Sequence, residues 1–297
     1  MNITLDKDKL INNIRRQISN SSKLKYQRSL LEFEDSEGSF IGDNVFETTF
    51  LLRGNKAPLI YEVSGPYDVI SNEYATIGRI YENGERIFEC DIKSQIQQRT
   101  AAMLCLFFES IKHIPQEILI IGAGKLALEI LNYLKHTSPH IDKINYHARN
   151  QRADTFEIKA NKLGIKSSFS SILNLEKYDT IIMVTNTSEC LVTDANIDSV
   201  QNGAVVASLC TTSLTGEIEG KVYAREDVNT LFDYDLTRTF TPDMRAANEA
   251  GYLDKITLLH EILSDSKPDE ILVKKNILRI TGTPMQNIAV LDMLRPS

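Results

Sequence analysis

The sequence lacks a CxxC pair among its four cysteines, an HExxH among its five histidines, and any apolar run approaching the roughly 18 to 20 residues of a membrane-spanning helix. It also lacks an excess of basic charge. Each absence removes a class of function. Cys90, Cys105, Cys190 and Cys210 are widely separated, which argues against a disulfide framework or a zinc site and reads as four free thiols. A lone histidine is more often a surface or packed residue than a ligand or base, so His113, His136, His140, His147 and His260 carry no catalytic expectation. With a formal net charge of -7 and Lys and Arg scattered among Asp and Glu, no face advertises a nucleic acid or an anionic membrane as partner. The first residues, MNITLDKDKL, have no apolar signal-peptide core. Together these features predict a cytoplasmic protein with a small-molecule role and no metal.

The chain does have enough apolar substance for a large core, 42% of 297 residues, a length that predicts two domains. Leu5, Leu10, Ile11, Ile14 and Ile18 recur at helical intervals and predict an amphipathic helix ending near Asn20 to Ser22. From Leu30 to Cys90 short β-prone runs are punctuated by glycines, and YATIGRIY and RIFECDI flank Glu82-Asn83-Gly84-Glu85 as a hairpin. This region predicts a meandering, mostly antiparallel sheet. Ile92 to His113 predicts a buried helix stopped by Pro115, after which strand and helix patterns alternate as in a parallel sheet with crossover helices. Helices are expected again around Asp243 to Leu263 and at Met285 to Leu294. No internal repeat, low-complexity segment or flexible linker interrupts the pattern.

Chemistry enters at Glu117-Ile-Leu-Ile-Ile121, a buried-strand run followed at once by Gly122-Ala123-Gly124-Lys125-Leu126-Ala127 and an amphipathic helix. In the GxGxxA pattern Gly122 permits the tight turn, Gly124 lets backbone approach a pyrophosphate, and Ala127 keeps helix close to strand. The helix N-terminus offers free N–H groups to phosphate. The alternative, a ligand-free turn in an α/β sheet, lacks a reason for this spacing in this context. A dinucleotide-binding Rossmann unit is therefore expected. Some 20 residues on, where an NAD enzyme places an acid against the ribose 2′-OH, the chain instead reads Ala148-Arg149-Asn150-Gln151-Arg152. Two guanidinium groups in place of a carboxylate predict NADP(H) over NAD(H), against the plainer reading of two solvated loop arginines. A further strand, Asp179 to Val184, ends in Thr185-Asn186-Thr187-Ser188, which suits either contact with ribose and nicotinamide or an ordinary turn.

Four segments then share one resemblance. Gln98-Arg-Thr-Ala-Ala102 ahead of the glycine turn, IGAGKLA, VTNTS and the closing TGTPMQNIAVLD resemble the ornithine cyclodeaminase and mu-crystallin family, which includes alanine and imine-acid dehydrogenases. The likeness runs best over about Gln98 to Leu209 and Gly282 to Leu294. It implies that Arg99 binds a substrate carboxylate, against the plainer reading of a helix-surface ion pair, and that Thr100 approaches the cofactor phosphates; Leu209 is carried as a further cofactor-site candidate. Two departures stand out. The family's aspartate in the loop after Gly203 to Ser208 is replaced by Leu209-Cys-Thr-Thr-Ser-Leu214, with no carboxylate before Glu217, and Tyr61 or Glu62 stands where the family has its substrate-binding lysine. Tyr61 is carried as the substrate-side candidate. Asp233, Asp235 and Asp243 compete as acids, with Asp243 and Arg245 inside FTPDMR, against readings as helix caps or surface charges.

These readings predict an α/β protein. A Rossmann-type doubly wound sheet at residues 114–282 would be joined to a mostly antiparallel α+β domain at residues 1–113, for which the resemblance implies substrate binding, dimerisation and completion by 283–297. The expected function is an NADP(H)-dependent oxidoreductase moving a hydride to or from a small amino or imino acid, as a homodimer. Two alternatives stay open: a non-catalytic NADPH and small-ligand binder of the mu-crystallin type, and an ornithine cyclodeaminase.

Overall fold

The computed structural model describes residues 3–34, 40–53, 56–65, 67–68, 73–74, 76–148, 153–171, 174–185, 187, 189–209, 216–234, 241–253, 256–264 and 268–296. The chain divides into two compact units, one of Met1–Arg99 with Pro284–Ser297 and the other of Thr100–Thr283.

In the first unit Asp6 caps helix α1 (Lys7–Ser19) by accepting from the Lys9 N–H at 2.9 Å, and the helix buries the stripe Leu10, Ile11, Ile14 and Ile18. Strands β1 (Leu24–Glu34), β2 (Phe40–Arg53), β3 (Lys56–Gly65), β6 (Ile77–Glu82) and β7 (Glu85–Asp91) form an antiparallel meander in that order, with a small side pair β4 (Tyr67–Asp68) and β5 (Glu73–Tyr74). The expected hairpin is present. Asn83 and Gly84 carry it at φ 53° and 84°, the left-handed pair that a two-residue turn between twisted strands requires. Side chains alternate across this sheet. The cross-strand row Thr49, Tyr61 and Ile80 is 2%, 2% and 0% exposed, whereas Arg79 on the opposite face pairs with Glu62 at 2.6 Å and Glu89 at 2.7 Å. The last helix, α7 (Pro284–Leu294), covers the buried face and also packs on α1. Its seat depends on Gly78, where a Cβ would lie 2.4 Å from Leu291 Cδ2.

Helix α2 (Lys93–Ser110) is shared by the division. Its first turns hold the N-terminus through Gln95 and Gln98, which donate to Ile3 O, and through Gln98 Oε1, which accepts from Leu5 N. Its remainder, Ala101 to Phe108, is buried throughout.

The second unit is a parallel sheet flanked by helices. In chain order it contains β8 (Ile118–Ile121), α3 (Lys125–Thr137), β9 (Lys143–His147), α4 (Ala153–Lys162), β10 (Lys166–Phe169), β11 (Thr180–Met183), β12 (Val205–Ser208), β13 (Val228–Phe232), α5 (Pro242–Glu249), β14 (Ile256–Leu258), α6 (Leu259–Ser264) and β15 (Lys275–Arg279). Among the described residues the strand order is β10-β9-β8-β11-β12-β15-β13-β14, every pair parallel. Strands β8, β11, β12 and β15 are buried at every position, as a sheet covered on both faces demands. The single helix expected over Asp243 to Leu263 is corrected to helix, strand, helix. Gly251, at φ +73°, turns the chain out of α5 so that Ile256–Leu258 can pair with β13.

Candidate cofactor and active site

Winding in the second unit runs one way from β8 through β9 to β10 and the other way from β11 to β12, so the chain switches direction between β8 and β11. Ligands of doubly wound sheets bind beyond the carboxyl ends of the strands at that point. The glycine turn lies there. Gly122 has φ +112°, its N–H donates to His147 O at 2.8 Å, and a Cβ would stand 2.5 Å from Val184 O on the neighbouring strand end. Only glycine fits. Gly124, the N-cap of α3, is different: it has no side-chain cap, and nothing lies within 4 Å of where its Cβ would be. At Gly124 open space coincides with the start of a helix that no side chain caps, an arrangement that suits a phosphate. Lys125 is exposed in the first turn of α3, Ala123 and Leu126 are half-buried, and Ala127 is fully buried against the sheet.

Beside this turn, beyond β11, Thr185 is held from behind. Its N–H and Oγ1 both donate to Glu217 Oε1, at 2.8 and 2.7 Å, while Glu217 Oε2 accepts from Ser208 Oγ at 2.7 Å. Thr187, 8% exposed, follows in the same turn, with its N–H directed at Thr185 Oγ1 at 3.4 Å. Leu209 is buried, its N–H on Met183 O.

Glu217 belongs to a larger buried network. Arg279, at the end of β15 and wholly buried, donates through Nη1 to Ser208 O and Oγ and through Nη2 to Asp243 Oδ1 at 3.1 Å; Asp243 Oδ2 accepts from Tyr223 OH at 2.8 Å. Burial pushes the Glu217 carboxyl above the usual carboxylate range, against the hydrogen bonds from Ser208 and Thr185 and the charge of Arg279. For Tyr223, burial and the Asp243 charge both raise the phenol. Sequence reasoning missed this cluster. Its available signal was a charged residue, Arg279, within an otherwise strand-like NILRI, since a charge in a buried strand needs a partner.

The sequence-based candidates fall out as follows. Asp243 is engaged with Arg279 and Tyr223, and Asp233, 1% exposed, accepts from Thr281 N, Thr281 Oγ1 and Gly282 N. Both carboxylates thus hold the described ends of strands and turns. Arg245 is an exposed position of α5. Arg99 and Thr100 are half-buried neighbours on α2, next to the fully buried Ala101 and Ala102. Tyr61 is buried in the first unit with its hydroxyl on Asp292 Oδ1 at 2.7 Å. Arg149, Asn150, Arg152, Asn186, Asp235 and Cys210 lie outside the described residues. Among the described residues no group of three or more His, Cys, Asp or Glu is placed to hold a metal, and no helix is long and apolar enough to cross a membrane.

A parallel sheet beginning 3-2-1-4-5 with a glycine turn at its switch point defines the second unit as a Rossmann-type fold, and the first unit adds an antiparallel sheet closed by the terminal helices. No protein-family model matches the sequence, and no curated protein matches it either. Solved structures do. A probable ornithine cyclodeaminase from Bordetella pertussis Tohama I is similar with a TM-score of 0.80 at 14% identity, covering 97% of this chain and 91% of the other. The Thermococcus litoralis Δ1-pyrroline-2-carboxylate reductase, solved with NADH and L-proline, gives 0.78 at 16%, covering 97% and 92%. The iminosuccinate reductase of Paracoccus denitrificans, solved with NAD+, gives 0.77 at 15%, covering 98% and 91%. At these identities the likeness establishes the fold, in both of its parts.

Proposed function

We propose that this protein is an NADP(H)-dependent oxidoreductase acting on a small amino or imino acid. The observation that carries the reading is the Gly122 to Gly124 turn, strained only where glycine must be and open where phosphate must fit, at the switch point of a parallel sheet. A bound nicotinamide cofactor would supply the hydride. The chain's own part is to bind and orient. The N–H groups of Gly124, Lys125 and Leu126, with Thr100 of α2, would hold the pyrophosphate, and Thr185, Thr187 and Leu209, with Asn186 as a further candidate, would hold the nicotinamide half. Arg149, Asn150 and Arg152 select the 2′-phosphate. On the substrate side Arg99, with its planar fork of donors, would bind and orient the carboxylate for hydride transfer. Amino or imino acids are favoured because three proteins of the same fold carry names or ligands of that class. A homodimer formed through the first unit completes the proposal, and light scattering should return twice the mass of one chain.

The test follows NADPH absorbance with cyclic imines and with keto acids plus amines. Turnover with at least one, abolished in Arg99→Ala while NADPH affinity stays within about twofold, is the expected result. Tight NADPH binding with no turnover on any imine would instead leave a non-catalytic cofactor binder, and ammonia release from ornithine without net NADPH loss would indicate cyclodeamination.

A further inference from the structure

Glu217 accepts from three donors at the strand ends, and its backbone is held as well as its side chain. Its own backbone carbonyl accepts from Leu191 N and Val192 N, and Ile218 bridges Val192. The residue before it, Gly216, has φ +80° and sits so close to α5 that a Cβ would lie 2.4 Å from Asp243 Cβ. On the far side Ser208 is held by Arg279, which Asp243 and Tyr223 hold in turn. The carboxylate is therefore fixed before any ligand arrives.

What the carboxylate fixes is Thr185. Two donors of that residue, main chain and side chain, converge on one oxygen, and the third donor on Glu217 comes from the next strand end. Because the Thr185 hydroxyl proton is committed to Glu217, its lone pairs face the Thr187 N–H, and Thr187 Oγ1 accepts from Glu189 N at 3.1 Å. The turn after β11 thus takes its shape from a buried group nine residues beyond β12. The glycine turn meets this network only by packing: among the bonds described, the Gly122 N–H donates to His147 O, and no hydrogen bond joins Gly122 to Glu217 or Thr185.

We propose that Glu217 is a positioning residue for the nicotinamide half of the dinucleotide site, shaping through Thr185 the turn on which that half rests; this inference rests on the cofactor reading above. Three donors meet in a dry place, so an apolar side chain there would strand all three and a Gln would strand one. The adenosine half, seated on the glycine turn, should not sense the change.

The experiment titrates wild type, Glu217→Gln, Thr185→Val and the double variant with NADPH and with 2′,5′-ADP, which carries only the adenosine half. Both single variants should weaken NADPH by about tenfold, the worth of one hydrogen bond to a charged group, and shift 2′,5′-ADP by less than about twofold. Since both act through one contact, the double variant should be no weaker than the worse single. Parallel loss of both ligands would reveal a merely structural role and overturn the proposal, as would unchanged binding of both. Should Glu217→Gln fail to fold, Thr185→Val carries the same split alone. A wild type that binds neither ligand removes the cofactor reading itself, and the inference with it, whereas a wild type that binds both with an unaltered ratio in the variants removes the inference only.

Discussion

Gly122 and Gly124 stand two residues apart in one turn, yet a methyl group added at each meets opposite surroundings. At Gly122 it would collide with Val184 O in a backbone conformation that side chains rarely adopt, so Gly122→Ala should cost about 2 kcal/mol or more in urea unfolding. At Gly124, φ -84° and ψ -173° suit alanine and nothing lies near, so Gly124→Ala should change stability by no more than about 0.5 kcal/mol. NADPH affinity in that variant should still fall by more than about tenfold, because the added methyl occupies the space left for phosphate. A Gly124→Ala protein that binds NADPH normally would dissociate the turn from the cofactor. This pair was legible in the sequence because its reason is local: spacing, strand before, helix after. Glu217 and Arg279 were not legible, since their meaning depends on β12 and β15 becoming neighbours 71 residues apart in sequence. Asp243 shows the same limit from the other side. A position suited to a helix N-terminus was readable, but its partners Arg279 and Tyr223 were not.

At the scale of elements, α7 shows how an edge of the fold is held by a missing side chain. Leu291 is wholly buried and occupies the volume that a Cβ on Gly78 of β6 would need. Gly78→Ala should therefore cost about 1 to 3 kcal/mol by overpacking, measured in urea, and the double variant with Leu291→Ala should lose less than the sum of the two single losses. Simple additivity would show that α7 does not seat on β6 as described. Elements with a strong local period were readable in advance: α1 with its four-residue stripe, the β6 and β7 hairpin with its Asn-Gly turn, and the strand ahead of Gly122. The stretch after α5 was not. Its apolar residues fit a helical period, but Gly251 and the pairing of Ile256–Leu258 with β13 broke it, a tertiary preference overriding a local one. Nor does any local signal tell that β15, last in the chain order of this sheet, inserts between β12 and β13.

For the whole molecule the question is which dinucleotide the folded state prefers, and linkage turns that preference into a stability measurement. A ligand that binds only the native protein adds about 2.7 kcal/mol at one hundred times its dissociation constant. For a chain of this size that corresponds to a rise in Tm of about 5 °C. On the proposed reading NADPH at a given concentration should give such a shift and NADH a smaller one, since the sequence after β9 offers Arg149 and Arg152 to a 2′-phosphate and no carboxylate to a 2′-OH. Arg149→Asp adds the acid and removes a cation in one step, so the order of the two shifts should reverse. The melting temperature without ligand serves as the internal reference, because any general effect of the substitution moves that baseline and not the difference between cofactors. Equal shifts for the two dinucleotides in wild type, or an unchanged order in Arg149→Asp, would remove the 2′-phosphate argument while leaving the glycine turn as a dinucleotide site of either kind.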